Sequence, residues 1–488
     1  MKYAFGLILL IISLSVFSSC FPWDDYARNA KFDYEERYLI VQPVGDVANK
    51  LKVMASAYAM SVVSRRHLVI DWPGDNFNDF FKNELVDLPK GWDDPKVVKS
   101  IENGDYDEFA KIANDSSKII YLKTKDNFRT KTMPLDAYKI IYKHFYETLT
   151  PVASFKQDFD RHYTELENTF IGDKDDHSSQ KYLIINPRSG LANRMRALAS
   201  AYVMAVTTGR ELVIDWKSNP QETPVDSLNH LFENDSLREL DHDIQSRCGD
   251  ERVFLSWEDS GYGDQAPFVY NRLSNLPFVK NKCVEVESFN NFKPNHITEE
   301  LYFKLYRNFY ANHKYVSEIQ NIVTNVYANR MAGKRVVGVH HRSFTLTNDW
   351  HPTPDYFSVY YELMNGLIAK DPQVLFFVSA DSVEFKKKLQ NKFGNRIITI
   401  EHGRIARDNL QDSRNSVVDW NLLAKTEFII GTYQSSFSEE AALLTATSRK
   451  INIGRSRYDF HSIYCFDNDG KVFMRGTDIF DVCAKYSR

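Results

Sequence analysis

Polarity changes period twice between Tyr182 and Asp215. The apolar run from Tyr182 to Asn186 is too short for a helix, the Ala/Leu/Met-rich stretch from Leu191 to Val206 has helical spacing, and Glu211 to Asp215 is mostly apolar again. Short apolar runs on either side of a helical stretch predict a βαβ unit. The same pattern stands earlier in the chain: placing Tyr38 on Tyr182 aligns 35 residues without a gap, 18 of them identical. Later aromatic positions agree, since Tyr138, Tyr142, Phe145 and Tyr146 have the spacing of Tyr302, Tyr306, Phe309 and Tyr310. Two copies of one unit are therefore expected, at 37–170 and 181–332.

From Arg335 the pattern becomes a regular alternation. Strands are predicted at Val336–His340, Val374–Ser379, Arg396–Ile400, Phe428–Gly431 and Lys450–Ile453, with helices at 354–369, Ser382–Phe393, Val417–Lys425 and Ser436–Leu444 between them. Such alternation gives an α/β fold with a parallel sheet covered on both faces. Ligands of these sheets bind at the carboxyl ends of the strands. This half is expected to span 333–455, followed by a C-terminal extension at 456–488.

A length of 488 residues leaves room for about three domains. The apolar share of 43% and aromatic share of 14% supply large buried cores. Lys plus Arg is 61 against 65 for Asp plus Glu, a net −4 with no basic tract, which argues against a nucleic-acid-binding chain. Lys2 precedes an apolar run to Phe17, and no charge appears until Asp24. Residues 1–23 are accordingly read as a targeting segment, either a cleaved signal peptide or a signal-anchor, placing the rest in the secretory pathway or outside the cell. Apart from Cys20, the cysteines are Cys248, Cys283, Cys465 and Cys483. An even number in a secretory chain suggests two disulfides; 248–283 and 465–483 are the shortest of three connectivities, and four buried thiols is the alternative. Asn114-Asp115-Ser116 and Asn234-Asp235-Ser236 are glycosylation sequons.

Three strand ends carry the chemistry. The first ends in His340-His341-Arg342, and the next in Asp381-Ser382, where Ser382 also suits a helix N-cap. The last runs through Gly431 and Thr432 to Ser435, Ser436 and Phe437 at a helix start. There hydroxyls and unpaired N–H groups suit a phosphate. A guanidinium, a carboxylate and a hydroxyl-lined helix start on neighbouring strands suit a nucleotide diphosphate. In the second copy, the turn Pro187-Arg188-Ser189-Gly190 leads to another helix N-terminus, where Arg188 and Arg194 would reinforce an anion site.

VGVHHR, WHPTPDY, FFVSADS, VVDWNLLAKTEFIIG and the Ser-Ser-Phe loop resemble the donor half of the GDP-fucose-dependent fucosyltransferases, a group that includes core α-1,6, bacterial Nod-factor and protein O-fucosyltransferases. SGLANRMRALASAYVMA resembles the turn and helix that open their acceptor half. The resemblance covers about 180 to 455. It implies a GT-B-like fold of two facing Rossmann-like domains, here preceded by a partial duplicate of the N-terminal half. It further implies inverting transfer from GDP-fucose to a glycan or glycoprotein hydroxyl, and no required metal. Carried over by position, Arg342 meets the donor's β-phosphate, His340 completes the family's His-x-Arg, and Asp381 contacts the nucleoside. Ser435, Ser436 and Phe437 line the phosphate loop, and Asn193, with Arg188, Gly190 and Arg194 in the same acceptor-side loop, faces the reaction centre. Ser343 departs from the α-1,6 enzymes, which have a second Arg there.

Charge develops on the departing phosphate, so a donor aimed at it stabilises the transition state. Arg342 is that candidate, and Asp349 in the following loop is the candidate base for the acceptor hydroxyl, with Asp355 second. The first copy has Val44, Asp46, Lys50 and Lys52 where the second has Arg188, Gly190, Arg194 and Arg196, although Asn49 matches Asn193. It is expected to lack independent catalysis and to serve as an acceptor-binding or packing module. Two other functions fit the same residues: the same fold with another nucleotide sugar, and an inactive glycan-binding protein.

Overall fold

The computed structural model describes residues 37–165, 181–256, 281–342, 357–453, 464–466 and 472–474, except for 75, 90–91, 93, 95–97, 103–116, 126–127, 129–132, 219–224, 226, 234–236, 250–251, 403–408, 433–434 and 449. The targeting segment, both sequons, Ser343, Asp349, Asp355 and the Cys465–Cys483 pairing lie outside what is described. The chain divides into two compact units. One holds the described residues up to Asn186, with Ala199–Asp215 and Arg238–Asn308; the other holds Pro187–Leu198, Trp216–Leu237 and the residues from Phe309 onward.

The first unit contains two sheets. Strands β1 (Tyr38–Pro43), β2 (His67–Ile70), β3 (Val98–Glu102) and β4 (Ile119–Thr124) pair in the order β2-β1-β4-β3, each pair parallel. Helix α1 (Val47–Ser64) crosses from β1 to β2, and α2 (Leu135–Thr148) and α3 (Lys156–Glu165) follow. The second sheet uses β5 (Tyr182–Pro187), β6 (Glu211–Ile214), β8 (Arg238–Glu239), β9 (Arg252–Ser256) and β10 (Cys283–Ser288) in the order β8-β6-β5-β10-β9. Apart from the short β8, this is the order of the first sheet. Helix α4 (Leu191–Thr208) follows β5, α5 (His242–Cys248) precedes β9, and α6 (Glu299–Asn312) follows β10. A disulfide joins Cys248 to Cys283, as the shortest pairing predicts.

Equivalent side chains make equivalent bonds in the two sheets. Ser56 Oγ lies 3.0 Å from the Tyr138 hydroxyl and accepts the Phe128 N–H; Ser200 Oγ lies 3.1 Å from the Tyr302 hydroxyl and accepts the Phe292 N–H. Arg66 donates to the carbonyls of Tyr38 and Lys118, and Arg210 to those of Tyr182 and Lys282. Gln42 reaches Asp71 as Asn186 reaches Asp215. A buried carbonyl or amide left unbonded costs about 1–3 kcal/mol, which is reason enough for such polar bonds to persist inside the sheets.

In the second unit β7 (Phe232–Glu233) pairs antiparallel with β11 (Lys314–Tyr315), and α7 (Ser317–Val326) follows. The main sheet contains β12 (Val336–His341), β13 (Leu375–Ala380), β14 (Ile397–Ile398), β15 (Ile429–Thr432), β16 (Lys450–Ile453), β17 (Tyr464–Phe466) and β18 (Val472–Met474), in the order β14-β13-β12-β15-β16-β17-β18. The pairs from β14 to β16 are parallel, and the last two strands are antiparallel. Helices α8 (Phe357–Lys370), α9 (Val383–Phe393), α10 (Leu410–Ala424) and α11 (Ser436–Leu443) supply the crossovers. Val337, Val339, Phe376, Val378 and Ile430 from the strands, with Tyr360, Leu363 and Leu389 from the helices, form one buried core. Strand order reverses at β12 and β15, which opens a crevice at their carboxyl ends.

Two elements differ from the sequence reading by more than a shift at their ends. Helix α10 begins at Leu410, a full two turns before the expected Val417, because Asn409 caps it through a 2.8 Å bond from the Asp412 N–H while its polar first turns mask the apolar period. The strand expected over Arg396–Ile400 is reduced to Ile397–Ile398, preceded by a short 3₁₀ turn. Residues 456–488 add β17 and β18 to the sheet edge.

Candidate functional site

Register builds the site. His340 on β12 lies opposite Ser379 on β13 and Gly431 on β15, so the residues following these three strands emerge at one level. Arg342 follows β12, and its N–H donates to Thr432 Oγ1 at 2.9 Å. Its Nε lies 3.7 Å from Asp381 Oδ2, both side chains being about a quarter exposed (29% and 25%). The Asp381 N–H donates to the His341 carbonyl at 3.3 Å. The Tyr360 hydroxyl, from α8, donates to the His340 carbonyl at 2.8 Å and lies 3.3 Å from Thr432 Oγ1. Thr432 thus ties the end of β15 to the end of β12.

The same residue ties in the helix start. The Thr432 carbonyl accepts from the Ser435 N–H at 3.3 Å and from Lys450 Nζ at 2.9 Å. Ser435 is the N-cap of α11, yet its side chain makes no cap bond. The first N–H groups of a helix, with a serine hydroxyl not used as a cap, are an arrangement that favours an anion. Arg342, Asp381 and Ser435, the three residues read from separate motifs, are brought together around Thr432.

His340 is 5% exposed and stacks on Phe437, ring centroids 5.1 Å apart. Burial first, then the charges of Lys450 and Arg342, hold its pKa well below the usual value, so the imidazole is neutral. Its Nδ1 is buried without a hydrogen-bond partner among the described residues. Burial likewise lowers the Arg342 pKa, with Asp381 acting in the opposite direction. Behind β13, Asp419 on α10 accepts from Ser379 Oγ at 2.9 Å and lies 2.8 Å from His402 Nε2. Serine and histidine both bond the carboxylate here, so this is not a serine–histidine relay.

The turn at Pro187–Gly190 lies in the same unit. Ser189 adopts the left-handed conformation (φ 67°), and Asn193 Nδ2 donates to Ser189 Oγ at 3.0 Å. At Gly190 an added Cβ would meet open space. Arg194 does not present its charge as the sequence suggested. It is 1% exposed, donates to the carbonyls of Ser189 and Lys217, and lies over the Trp216 ring, bracing the turn from behind. Arg188 is partly buried beside it.

Sequence reasoning had Thr432 in the third motif without a role of its own, and missed Tyr360, Lys450 and the partners of Arg196. Arg196 on α4 donates through Nη2 to Glu439 at 2.9 Å and through Nε to Glu440 at 3.0 Å. The only signal for it was the replacement by Lys52 in the first copy.

No family model and no curated protein matches the chain. Parts of it are similar to solved structures. A NodZ α-1,6-fucosyltransferase soaked with GDP-fucose is 20% identical at a TM-score of 0.43, covering 59% of this chain and 99% of that one. FUT1 of Arabidopsis thaliana in complex with GDP is 15% identical (TM-score 0.41, 65% and 80% covered), and POFUT1 in complex with GDP-fucose 11% (0.35, 55% and 94%). A likeness of this strength carries no weight for function, which rests on the chain's own residues.

Proposed function

We propose that the chain is a glycosyltransferase that binds a guanosine-diphosphate sugar, GDP-fucose, and transfers the sugar to a glycan or glycoprotein hydroxyl. The observation that carries this reading is that Arg342 and the Ser435 helix start both bond Thr432 and Asp381 lies beside Arg342, within one compact unit and at the point where strand order reverses. The cation and helix start suit a pyrophosphate, the carboxylate suits nucleoside hydroxyl or base N–H donors, and His340 Nδ1 offers a further buried polar atom. The choice of fucose rests on the motif resemblance.

In this reading the transfer inverts the anomeric centre. The bond from sugar C1 to the β-phosphate oxygen breaks as the acceptor oxygen attacks from the opposite face, and the electron pair leaves on the diphosphate. Arg342 and the α11 N–H groups meet that growing charge, which a preorganised site stabilises without reorganisation. The acceptor proton goes to a carboxylate; Asp349 is the proposed base, with Asp355 second. No step calls for a metal, and turnover without added divalent ions is expected; loss with a chelator and rescue by Mn²⁺ would contradict this. The recurrent strand order and polar bonds of the first sheet support its being a duplicate of the acceptor-side unit, used for acceptor binding or packing. The disulfide supports a lumenal or extracellular setting.

Thermal unfolding with GDP, UDP and CMP tests the donor. Stabilisation by GDP alone is expected, since a ligand that binds only the folded state raises stability in proportion to ln(1 + [L]/Kd). A flat response to all three nucleotides would favour an inactive glycan-binding protein, and stabilisation by UDP or CMP another sugar donor.

A further inference from the structure

Helix α11 carries two adjacent carboxylates just behind the turn proposed to hold the diphosphate. Glu440 is 2% exposed, and Glu439 sits one residue nearer the helix start. Left alone, they would set two negative charges beside an anion site. Each has cationic partners. Arg196 spans both, donating to Glu439 at 2.9 Å and to Glu440 at 3.0 Å, with its own side chain 12% exposed. Lys450 lies 3.7 Å from Glu439, and the Tyr310 hydroxyl, packed on Trp420, donates to Glu440 at 3.0 Å.

From this geometry, and resting on the donor-site reading above, we infer that Arg196 is a positioning residue for the donor diphosphate. It neutralises Glu440 and fixes α11 so that the helix start remains anion-accepting. The fork reaches from α4, which carries the acceptor-side turn, to the helix on the donor side, so the two motifs that flank the reaction are held by one guanidinium. In the first copy Lys52 stands at the corresponding place, and that copy has no donor sheet following it. Removing Arg196 takes from the buried Glu440 a guanidinium donor at 3.0 Å, and a buried carboxylate that loses a cationic partner bears more strongly on a nearby anion site.

Isothermal titration of the full chain with GDP and with guanosine separates this role from a merely structural one. Arg196→Met is expected to weaken GDP about tenfold while leaving guanosine within about twofold, because only the diphosphate feels the exposed charge. The double variant Arg196→Met/Glu440→Gln removes that charge and is expected to recover most of the GDP affinity. Arg196→Lys keeps the charge and is expected to stay within about threefold of wild type; it supplies the test should methionine prevent folding. Equal weakening of GDP and guanosine, a double variant no better than the single, a tenfold loss in Arg196→Lys, or no loss in Arg196→Met each overturns the inference alone. A wild-type chain that binds neither compound overturns the donor-site reading, and the role of Arg196 with it.

Discussion

Arg342 answers to a carboxylate beside it and, in the proposed complex, to a phosphate in front of it. Its Nε is 3.7 Å from Asp381, so the guanidinium is held beside that carboxylate. A charge-assisted contact to the donor is worth about 1.5–3 kcal/mol in the ground state. Arg342→Ala is expected to lower kcat/KM for GDP-fucose hydrolysis on the order of a hundredfold. Arg342→Lys is expected to stay nearly as low, since a single ammonium cannot supply the bidentate fork. Turnover retained in either variant retires this role.

Lys450 supplies a pH test. Burial pushes its ammonium from the usual 10.5 down to about 8, with Glu439 opposing the fall and Arg196 adding to it. The folded value lies below the unfolded one, so the unfolded chain holds more protons between them. From this group alone, stability rises as pH goes from about 8 toward 10.5. Donor binding runs the other way, because loss of the Lys450 charge leaves Glu439 with less compensation beside the phosphate turn. GDP affinity is expected to decline above about pH 8 without a matching fall in unfolding temperature, and Lys450→Met should flatten the decline. A decline of the same slope in that variant assigns the effect elsewhere. Arg342, Asp381 and Ser435 were legible in the sequence because residues after strands of a parallel sheet converge by topology. Lys450 opens a strand and reads as an ordinary surface charge; only the fold shows that it lies under Thr432.

Among the elements, the joint between β15 and α11 is the tightest near the site. A Cβ on Gly431 would stand 2.8 Å from Ser438 Oγ and 3.0 Å from Lys450 Cε. Ser438 is fully buried and its hydroxyl already donates to the Ser435 carbonyl, so the helix start would have to move. Gly431→Ala is expected to cost about 1–3 kcal/mol in denaturant unfolding. It should also weaken GDP; full stability with full affinity would show that the joint has slack. The start of α1 in the first sheet is built differently. Asp46 caps it through a 2.8 Å bond from the Asn49 N–H, so a carboxylate fills the place a ligand anion would take. Asp46→Ala is expected to cost about 1 kcal/mol and to leave GDP affinity unchanged. The helices and strands over 182–215 and 336–453 were readable from period, whereas the start of α10 was not, because its cap and polar turns give no apolar signal. The Arg196–Glu440 contact joins residues 244 apart, a pairing no local pattern contains.

At the scale of the molecule, the 35 aligned residues fall on β1, α1 and β2 of one sheet and on β5, α4 and β6 of the other, and the two sheets share a strand order apart from β8. The alignment did not reveal how the two sheets' helices meet. The Tyr202 hydroxyl and Asn308 amide both donate to Asp136; at the places equivalent to these, Tyr58 and His144 pack together and His144 lies 3.8 Å from Glu300. Equivalent positions thus serve each other across the contact, the mark of a twofold-like interface. Lys304, among Glu147, Glu300 and His144, breaks the equivalence on one side. The disulfide lies with the second sheet and closes a loop with a sequence separation of 35. Replacing both cysteines by alanine is expected to remove about 4 kcal/mol, the loop-closure value, seen as a lower unfolding temperature that reductant no longer changes.

The backbone passes from one unit to the other after Asn186 and returns after Leu198, then leaves again after Asp215, re-enters after Leu237 and departs for good after Asn308. During synthesis, therefore, the turn bearing Asn193 leaves the ribosome long before the sheet it belongs with, and must wait for the remainder of the polypeptide to arrive. Neither unit can be cut out at a single point, so a nascent chain stalled before Phe309 would hold the Asn193 turn without any strand of the β12–β16 sheet.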